Sequence, residues 1–321
     1  MALEKRHLGK TDIEITPIGL GCWQFHGGGG MSATVWQSMP QDEVDKIVKT
    51  ALEGGINWFD TAEAYGSGGS EKALSTALSS AGKADEEVVI ATKWSPFFRT
   101  AGNISRTISD RQRYLSPFSI DLYQIHLPYA FSSVDAQMDA MAVLVKAGKI
   151  RSAGVSNFSA AKMRRAHAAL AKHGLPLASN QIRFNLAARN KEKEGVLDAA
   201  KELNITIIAY MPLAQGLLTG KFHKNPELVK RLPFVRRMTV SRMVEKSRPL
   251  LKMLEDIANS YNCTASEVVL SWVINYLGDA IVAIPGASKT EHVLQNVGAM
   301  DLKLTKDEMT KLDELSRKIT S

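Results

Sequence analysis

Four side chains that can hold or transfer a proton stand out in the first half of the sequence: Asp60, Tyr65, Lys93 and His126. When hydride adds to a carbonyl carbon, the oxygen becomes negatively charged and needs a proton donor. A phenol has a pKa of about 10, so we expect a neighbouring ammonium to lower it. We therefore assign Tyr65 as the proton donor and Lys93 as the group that lowers its pKa. Asp60 would keep Lys93 charged and in place, and a neutral His126 would orient the substrate oxygen.

Each of these residues has a plainer interpretation when it is taken alone. Asp60 could cap a helix or a turn, and Tyr65 could be a packing residue. Lys93 could be a solvated residue at a strand edge, and His126 a hydrogen-bonded core histidine. The prediction depends on all four occurring together, at or just beyond the ends of successive predicted strands.

The elements that would position these residues alternate along the chain. Short apolar runs predict eight strands, at residues 18–22, 58–60, 88–92, 122–126, 152–155, 179–182, 206–210 and 281–284. Helical periodicity and two capping boxes predict helices at 42–53, 71–80, 106–115, 135–146, 160–172, 193–203, 249–259, 266–276 and 306–318. Eight strands alternating with helices predict an α/β fold, a (β/α)8 TIM barrel that forms a single domain over residues 1–321. Active sites of such barrels lie at the carboxyl ends of the strands.

Three segments are predicted to be long loops on that face of the barrel. They are residues 25–39, with four consecutive glycines, residues 95–103, and the basic segment 216–247. Together with the first loop, Trp23, Trp94 and Phe97 could line an apolar substrate pocket.

A dinucleotide cofactor needs binding groups for its phosphates and its nicotinamide. The chain has no G-x-G-x-x-G motif followed by a helix. Residues 284–292 instead follow the last predicted strand and open a helix, whose free N–H groups attract anions; Ser288, Lys289 and His292 would add donors. This segment could also be an ordinary strand–turn–helix connection.

Polar residues at other strand ends suit the nicotinamide. Ser156, Asn157 and Gln181 could bind its carboxamide, and the ring of Tyr210 could stack on it. Asn157 and Gln181 could equally be buried polar groups paired with the backbone.

Composition narrows the class of protein. The net charge is +7, and the most basic stretch lies between residues 221 and 248, but no nucleic-acid-binding motif accompanies it. The two cysteines, Cys22 and Cys263, form neither a disulfide framework nor a metal-binding pattern. No leader-like or membrane-spanning apolar run is present. We expect a cytoplasmic protein that binds neither nucleic acid, membrane nor metal, and the sequence does not indicate an oligomeric state.

The sequence resembles the aldo-keto reductase superfamily nearly from end to end. The matching motifs are Asp-Thr-Ala-Glu-Ala-Tyr-Gly at 60–66, Ala-Thr-Lys at 91–93, Asp-Leu-Tyr-Gln-Ile-His at 121–126, Gly-Val-Ser-Asn-Phe at 154–158, Pro-Leu-Ala-Gln-Gly-Leu-Leu-Thr-Gly-Lys at 212–221 and Ile-Pro-Gly-Ala-Ser-Lys at 284–289. The motif at 212–221 is similar to the branch containing potassium-channel β subunits and bacterial general-stress reductases.

The resemblance implies an NADP(H)-dependent reductase of carbonyl compounds with the tetrad assigned above. It also implies that the cofactor lies along a set of residues in the second half of the chain. These are Ser156, Asn157, Gln181, Tyr210, Pro212, Leu213, Gln215, Gly216, Leu218, Lys221, Pro285, Gly286, Ser288, Lys289, His292, Gln295 and Asn296.

Two features depart from the family pattern. Family members often carry an arginine at the position of His292, where it binds the 2′-phosphate, so NAD(H) remains an alternative cofactor. The segment 25–39 is longer than the usual loop. The alternative function is a regulatory subunit that senses the cofactor and docks to a partner through the basic segment 216–247, with slow chemistry.

Overall fold

The computed structural model describes residues 4–26, 39–230, 232 and 234–320. The strands are β1 (Arg6–His7), β2 (Glu14–Ile15), β3 (Leu20–Gly21), β4 (Trp58–Asp60), β5 (Val89–Trp94), β6 (Leu122–Ile125), β7 (Ser152–Ser156), β8 (Leu177–Arg183), β9 (Thr206–Tyr210), β10 (Tyr276–Asp279) and β11 (Ile281–Ile284). The helices are α1 (Gln41–Glu53), α2 (Gly69–Ser80), α3 (Gly102–Leu115), α4 (Val134–Lys146), α5 (Ala160–Ala171), α6 (Asn190–Lys193), α7 (Val196–Leu203), α8 (Lys221–Lys224), α9 (Glu227–Lys230), α10 (Phe234–Ser260), α11 (Ala265–Asn275), α12 (Thr290–Asp301) and α13 (Lys306–Thr320).

Eight strands form one parallel sheet, in the order β11-β9-β8-β7-β6-β5-β4-β3. Its two edges meet, because Gly19 N–H donates to the Ala283 carbonyl at 2.9 Å and Gly21 N–H to that of Pro285 at 3.1 Å. With helices packed around this closed sheet, the predicted (β/α)8 barrel is confirmed.

The hairpin of β1 and β2 closes the amino-terminal end of the barrel. Its residues Leu8, Ile13 and Ile15 are buried in one apolar cluster with barrel residues that include Trp58 and Ile208. Side chains two residues apart on a strand point to the same side. The next layer toward the carboxyl end therefore begins at Asp60, two residues after Trp58.

Both predicted capping boxes are present. The Thr264 hydroxyl accepts from the Glu267 N–H at 3.3 Å, while the Glu267 carboxylate accepts from the Thr264 N–H at 2.7 Å. The same reciprocal pair joins Thr305 and Glu308. These bonds satisfy the free N–H groups where α11 and α13 begin.

Three element predictions are wrong. Helix α3 begins at Gly102, four residues before the predicted start. Helix α7 begins at Val196 rather than at residue 193, because Gly195 adopts a left-handed conformation with φ +69°. The segment 216–247 is largely helical, and α10 begins at Phe234, fifteen residues before Pro249. Apolar residues at helical spacing, Val240, Met243 and Val244, pack in a small cluster with Leu217 and Phe222.

The predicted loop 25–39 falls almost entirely outside the described residues, which resume at residue 39. Within the described chain, no helix is both long and apolar enough to span a membrane.

Candidate active site

The four predicted acid–base residues come from three adjacent strands. Asp60 ends β4, Tyr65 follows it in the connection to α2, and Lys93 lies near the end of β5. His126 comes directly after β6, and its N–H donates to the Trp94 carbonyl at 3.0 Å. Since the three strands are parallel neighbours, all four residues lie at the same end of the barrel.

Lys93 is the centre of the group. Its side chain is fully buried, and Nζ donates to Asp60 Oδ1 at 2.5 Å, to the Thr61 carbonyl at 2.7 Å and to Tyr65 Oη at 3.5 Å. The ammonium is thus held by an acid on one side and touches the phenol on the other.

Two further rings surround the phenol. The imidazole of His126 lies edge-on to the Tyr65 ring, with 5.7 Å between centroids. The indole of Trp23 lies 6.2 Å away on a tilted plane. A small carbonyl group placed between Tyr65 and His126 would therefore meet two hydrogen-bond donors and an aromatic wall.

Loss of water shapes the protonation of these groups. Burial raises the pKa of Tyr65, and the charge of Lys93 opposes this shift without overcoming it. Lys93 thus lowers the pKa of the phenol relative to burial alone, as expected, but the net pKa of Tyr65 lies above its ordinary value rather than below it. Burial, aided by Lys93, lowers the pKa of His126 to about 3. For Lys93, burial alone would lower the pKa, but Asp60 and Tyr65 together raise it.

Two glutamines complete the acid's environment. Gln181 Nε2 donates to Asp60 Oδ2 at 2.8 Å, and Gln124 Nε2 donates to the same oxygen at 3.3 Å. Gln124 was missed in the sequence, although it lies two residues before His126 on the same side of its strand. The buried Asp60 carboxylate thus has donors on both oxygens.

The residues predicted to bind nicotinamide form one chain of hydrogen bonds. Tyr210 Oη donates to Asn157 Oδ1 at 3.0 Å, Asn157 Nδ2 donates to Ser156 Oγ at 3.0 Å, and Ser156 Oγ donates to the Gln181 carbonyl at 3.0 Å. Asn157 itself has a left-handed backbone, with φ +61°. These hydrogen bonds connect to Asp60, because the side chain of Gln181 donates to its carboxylate.

The connection after β9 has an unusual backbone. Met211, Ala214 and Gln215 are non-glycine residues with φ between +49° and +55°, and Gly216 has φ +86°. Such conformations are costly and concentrate at binding sites. Pro212, Leu213, Leu218 and Lys221, the other residues that the family resemblance places along the pyrophosphate, belong to the same connection or to the start of α8.

The connection between β11 and α12 contains the predicted adenosine site. Pro285 is buried, Gly286, Ser288, Lys289 and His292 are exposed, and Gln295 is half-buried. Among the described residues, the buried Asn296 Nδ2 lacks a hydrogen-bond partner. A side chain at position 286 would meet Gln24, with its Cβ only 2.4 Å from Nε2. An orphaned amide, a glycine cradle and the start of a helix fit the polar end of a dinucleotide.

The three predicted pocket residues lie in different environments. Trp23 is half-buried beside Tyr65, and Phe97 is 54% exposed in the connection after β5. The prediction that Trp94 lines the pocket is wrong. Because Lys93 points into the barrel, Trp94 points outward into the core, where it is fully buried and its Nε1 donates to Asn103 Oδ1 at 3.0 Å.

Known proteins are similar to this chain in sequence and in fold. The sequence profile of the aldo/keto reductase family matches residues 17–317. An uncharacterized oxidoreductase of Mycobacterium tuberculosis is 38% identical over 306 residues, which cover 95% of this chain and 90% of that protein. The chloroplastic pyridoxal reductase of Arabidopsis thaliana is 32% identical over 318 residues, covering 94% of this chain and 83% of that protein.

Crystal structures of aldo-keto reductases have a similar fold. A thermostable one bound to the inhibitor epalrestat superimposes with a TM-score of 0.78 at 28% identity, covering 98% of this chain and 100% of that one. One from Klebsiella pneumoniae bound to NADPH gives 0.74 at 25% identity, covering 98% and 95%. The chain belongs to the aldo/keto reductase family and is an oxidoreductase of that family.

Proposed function

We propose that this protein is an NADP(H)-dependent reductase of small aldehydes or ketones, with Tyr65 as the proton donor. The observation that carries this proposal is the contact of the Lys93 ammonium with both the Asp60 carboxylate and the Tyr65 hydroxyl, beside His126. A similar structure contains NADPH, which supports the choice of cofactor. The bound cofactor would supply the hydride.

The chain's own residues would handle the proton. Tyr65 donates its phenolic hydrogen to the carbonyl oxygen as negative charge develops there. Lys93, kept charged by Asp60, then stabilises the resulting phenolate electrostatically. His126 is neutral because its pKa is about 3, so its N–H can hydrogen-bond the substrate oxygen without competing for the proton.

The cofactor would lie across the carboxyl ends of the later strands. Ser156, Asn157 and Gln181 would hold its carboxamide, and Tyr210 would lie against the ring. Lys221 and Lys289 would neutralise phosphate charge. Partial burial, and then the ammonium groups of Lys289 and Lys221, lower the pKa of His292. A neutral His292 would bind a 2′-phosphate less strongly than an arginine, so we expect the preference for NADP(H) over NAD(H) to be modest.

Tyr65→Phe tests the proton donor. We expect kcat for a reactive aromatic aldehyde to fall by about 10²- to 10⁴-fold, the usual contribution of general acid catalysis. The Kd for NADPH, measured by quenching of protein fluorescence, should change little because the phenol oxygen is removed without altering the cofactor's phosphate sites. Normal turnover by this variant would refute the assignment. Tight NADPH binding with negligible wild-type turnover across many carbonyls would favour the cofactor-sensing subunit instead.

A further inference from the structure

One guanidinium holds both ends of the segment that carries Tyr65. Arg111, on α3, is buried, and its Nη1 lies 2.9 Å from Glu63 Oε2 while its Nε lies 3.0 Å from Glu71 Oε2. Glu63 precedes Tyr65 by two residues, and Glu71 follows it by six, in the first turn of α2. Both acidic side chains are buried as well, so these contacts are shielded from water and salt.

Glu63 also fastens this segment to the strand of Lys93. Its backbone N–H donates to the Lys93 carbonyl at 3.3 Å, and its Oε1 accepts from the Ser95 N–H at 2.9 Å. Arg99, in the following connection, forms a second ion pair with the same carboxylate oxygen. A single side chain thus joins the connection after β4 to the end of β5.

Glu71 makes the matching link on the other side. Its Oε1 accepts from the hydroxyl of Thr92 at 2.7 Å, and Thr92 is the residue before Lys93. The two carboxylates that bracket Tyr65 therefore bind on either side of Lys93, one at the Thr92 hydroxyl and the other at the Ser95 N–H.

The segment between these carboxylates has little regular structure to hold it. Gly66, Ser67 and Gly68 all have positive φ, at +64°, +54° and +90°. A serine in this region is strained and persists only where its surroundings impose it. The distance between Lys93 Nζ and Tyr65 Oη, 3.5 Å, thus depends on anchors outside the turn.

We infer that Glu63 is a positioning residue for proton transfer, acting with Arg111 and Arg99 to set the distance between the Tyr65 hydroxyl and the Lys93 ammonium. This inference rests on the proposed function, since it concerns the same proton donor. Glu63 is assigned no contact with substrate or cofactor. Its loss should therefore slow the chemical step while leaving both binding equilibria nearly unchanged.

Glu63→Gln tests the inference, because it keeps the shape of the side chain and removes the charge that both guanidinium groups need. We expect kcat to fall by about 10- to 100-fold, as small displacements of reacting groups do. The KM for the aldehyde and the Kd for NADPH should stay within about threefold of wild type, and the solvent deuterium isotope effect on kcat should rise because proton transfer becomes slower. Glu202→Gln is the matched control, since it removes an exposed ion pair with Arg164 on α5 and should change nothing.

Two outcomes would overturn the inference. One is a folded Glu63→Gln protein with kcat within about twofold of wild type. The other is a loss confined to KM or Kd. If Glu63→Gln does not fold, Arg99→Gln replaces it, because Arg99 is partly exposed and only one of two partners is lost; a smaller fall in kcat is expected, and no fall refutes the inference. Normal turnover by Tyr65→Phe would instead refute the proposed function, whatever Glu63 does.

Discussion

Tyr65 and His126 show opposite pKa shifts with a common cause. Exclusion of water favours the neutral form of each, so the pKa of the phenol rises and that of the imidazole falls to about 3. Lys93 stays charged because Asp60 and Tyr65 outweigh its burial. At neutral pH Tyr65 therefore keeps its proton, and Lys93 forms a buried ion pair with Asp60.

These directions predict how the reaction depends on pH. The protonated phenol is lost only as pH rises through a pKa above 10, and His126 gains charge only near pH 3, so neither should produce a limb in kcat between about pH 5 and 9. Burial raises the pKa of Glu71 to about 7, so a limb near pH 7 would come from that residue. Comparing the pH–rate profiles of wild type and Glu71→Gln shows whether a limb near pH 7 comes from Glu71. A limb near pH 7 that persists in Glu71→Gln would contradict the assignment of that limb to Glu71.

The positions of the four candidate acid–base residues were predictable, but the shifts in their pKa values were not. Asp60, Lys93 and His126 lie at or just after strand ends in the sequence, and the spacing of Tyr65 from Asp60 matches the family. The net direction of the Tyr65 shift depends on how much water the fold excludes, and no local pattern records that. Glu63 and Arg111 lie 48 residues apart, so their pairing arises only from packing.

At the scale of elements, the turn before α2 sets the position of Tyr65, the proposed proton donor. Gly66 has φ +64°, and a Cβ there would lie 1.9 Å from the carbonyl oxygen of His26. A backbone atom cannot move aside as a flexible side chain can. Both the conformation and the space thus require glycine directly after Tyr65.

Gly66→Ala should therefore displace Tyr65 and destabilise the fold. We expect a fall in kcat together with a loss of unfolding free energy well above that of Gly82→Ala. Gly82 is the control, since it too has positive φ, at +68°, but has nothing within 4 Å of its missing side chain. Gly82→Ala should lower the free energy of unfolding by about 1–2 kcal/mol, from backbone strain alone, and leave kcat unchanged. Urea unfolding and steady-state rates measure both, and equal effects of the two substitutions would refute the steric argument.

The eight barrel strands and most of the long helices were predictable because each has its own period, whereas β1, β2 and β10 were not predicted. Residues 206–210 and 281–284 match β9 and β11 to the residue. The start of α10 was not, since the helix continues through Pro249, where the predicted helix began. Packing against Leu217 and Phe222 decides that element, and the partners are distant in sequence.

At the scale of the whole molecule, Arg6 joins the chain's beginning to its last barrel strand. Its guanidinium donates to the carbonyl oxygens of Ile274 and Ile281, both at 2.6 Å. Arg6→Met should lower the free energy of unfolding by about 3 kcal/mol, since buried charged hydrogen bonds are lost and two carbonyl groups are left unpaired. Arg164→Gln, which breaks only an exposed pair, should cost less than about 1 kcal/mol. The folded Arg6→Met protein should keep its kcat, because Arg6 lies at the amino-terminal end of the barrel, opposite the candidate site. A loss of kcat without a loss of stability would contradict this.

The hairpin of β1 and β2 gives the barrel a floor. Under the proposed function, substrate and product would both have to use the carboxyl-terminal side of the barrel, since the amino-terminal end is covered. The floor also keeps bulk solvent from reaching Lys93 and Asp60 from beneath. Shortening the chain to begin after Ile15 would uncover this end of the barrel, so water could hydrate that ion pair from both ends and weaken the desolvation on which the proposed proton transfer depends.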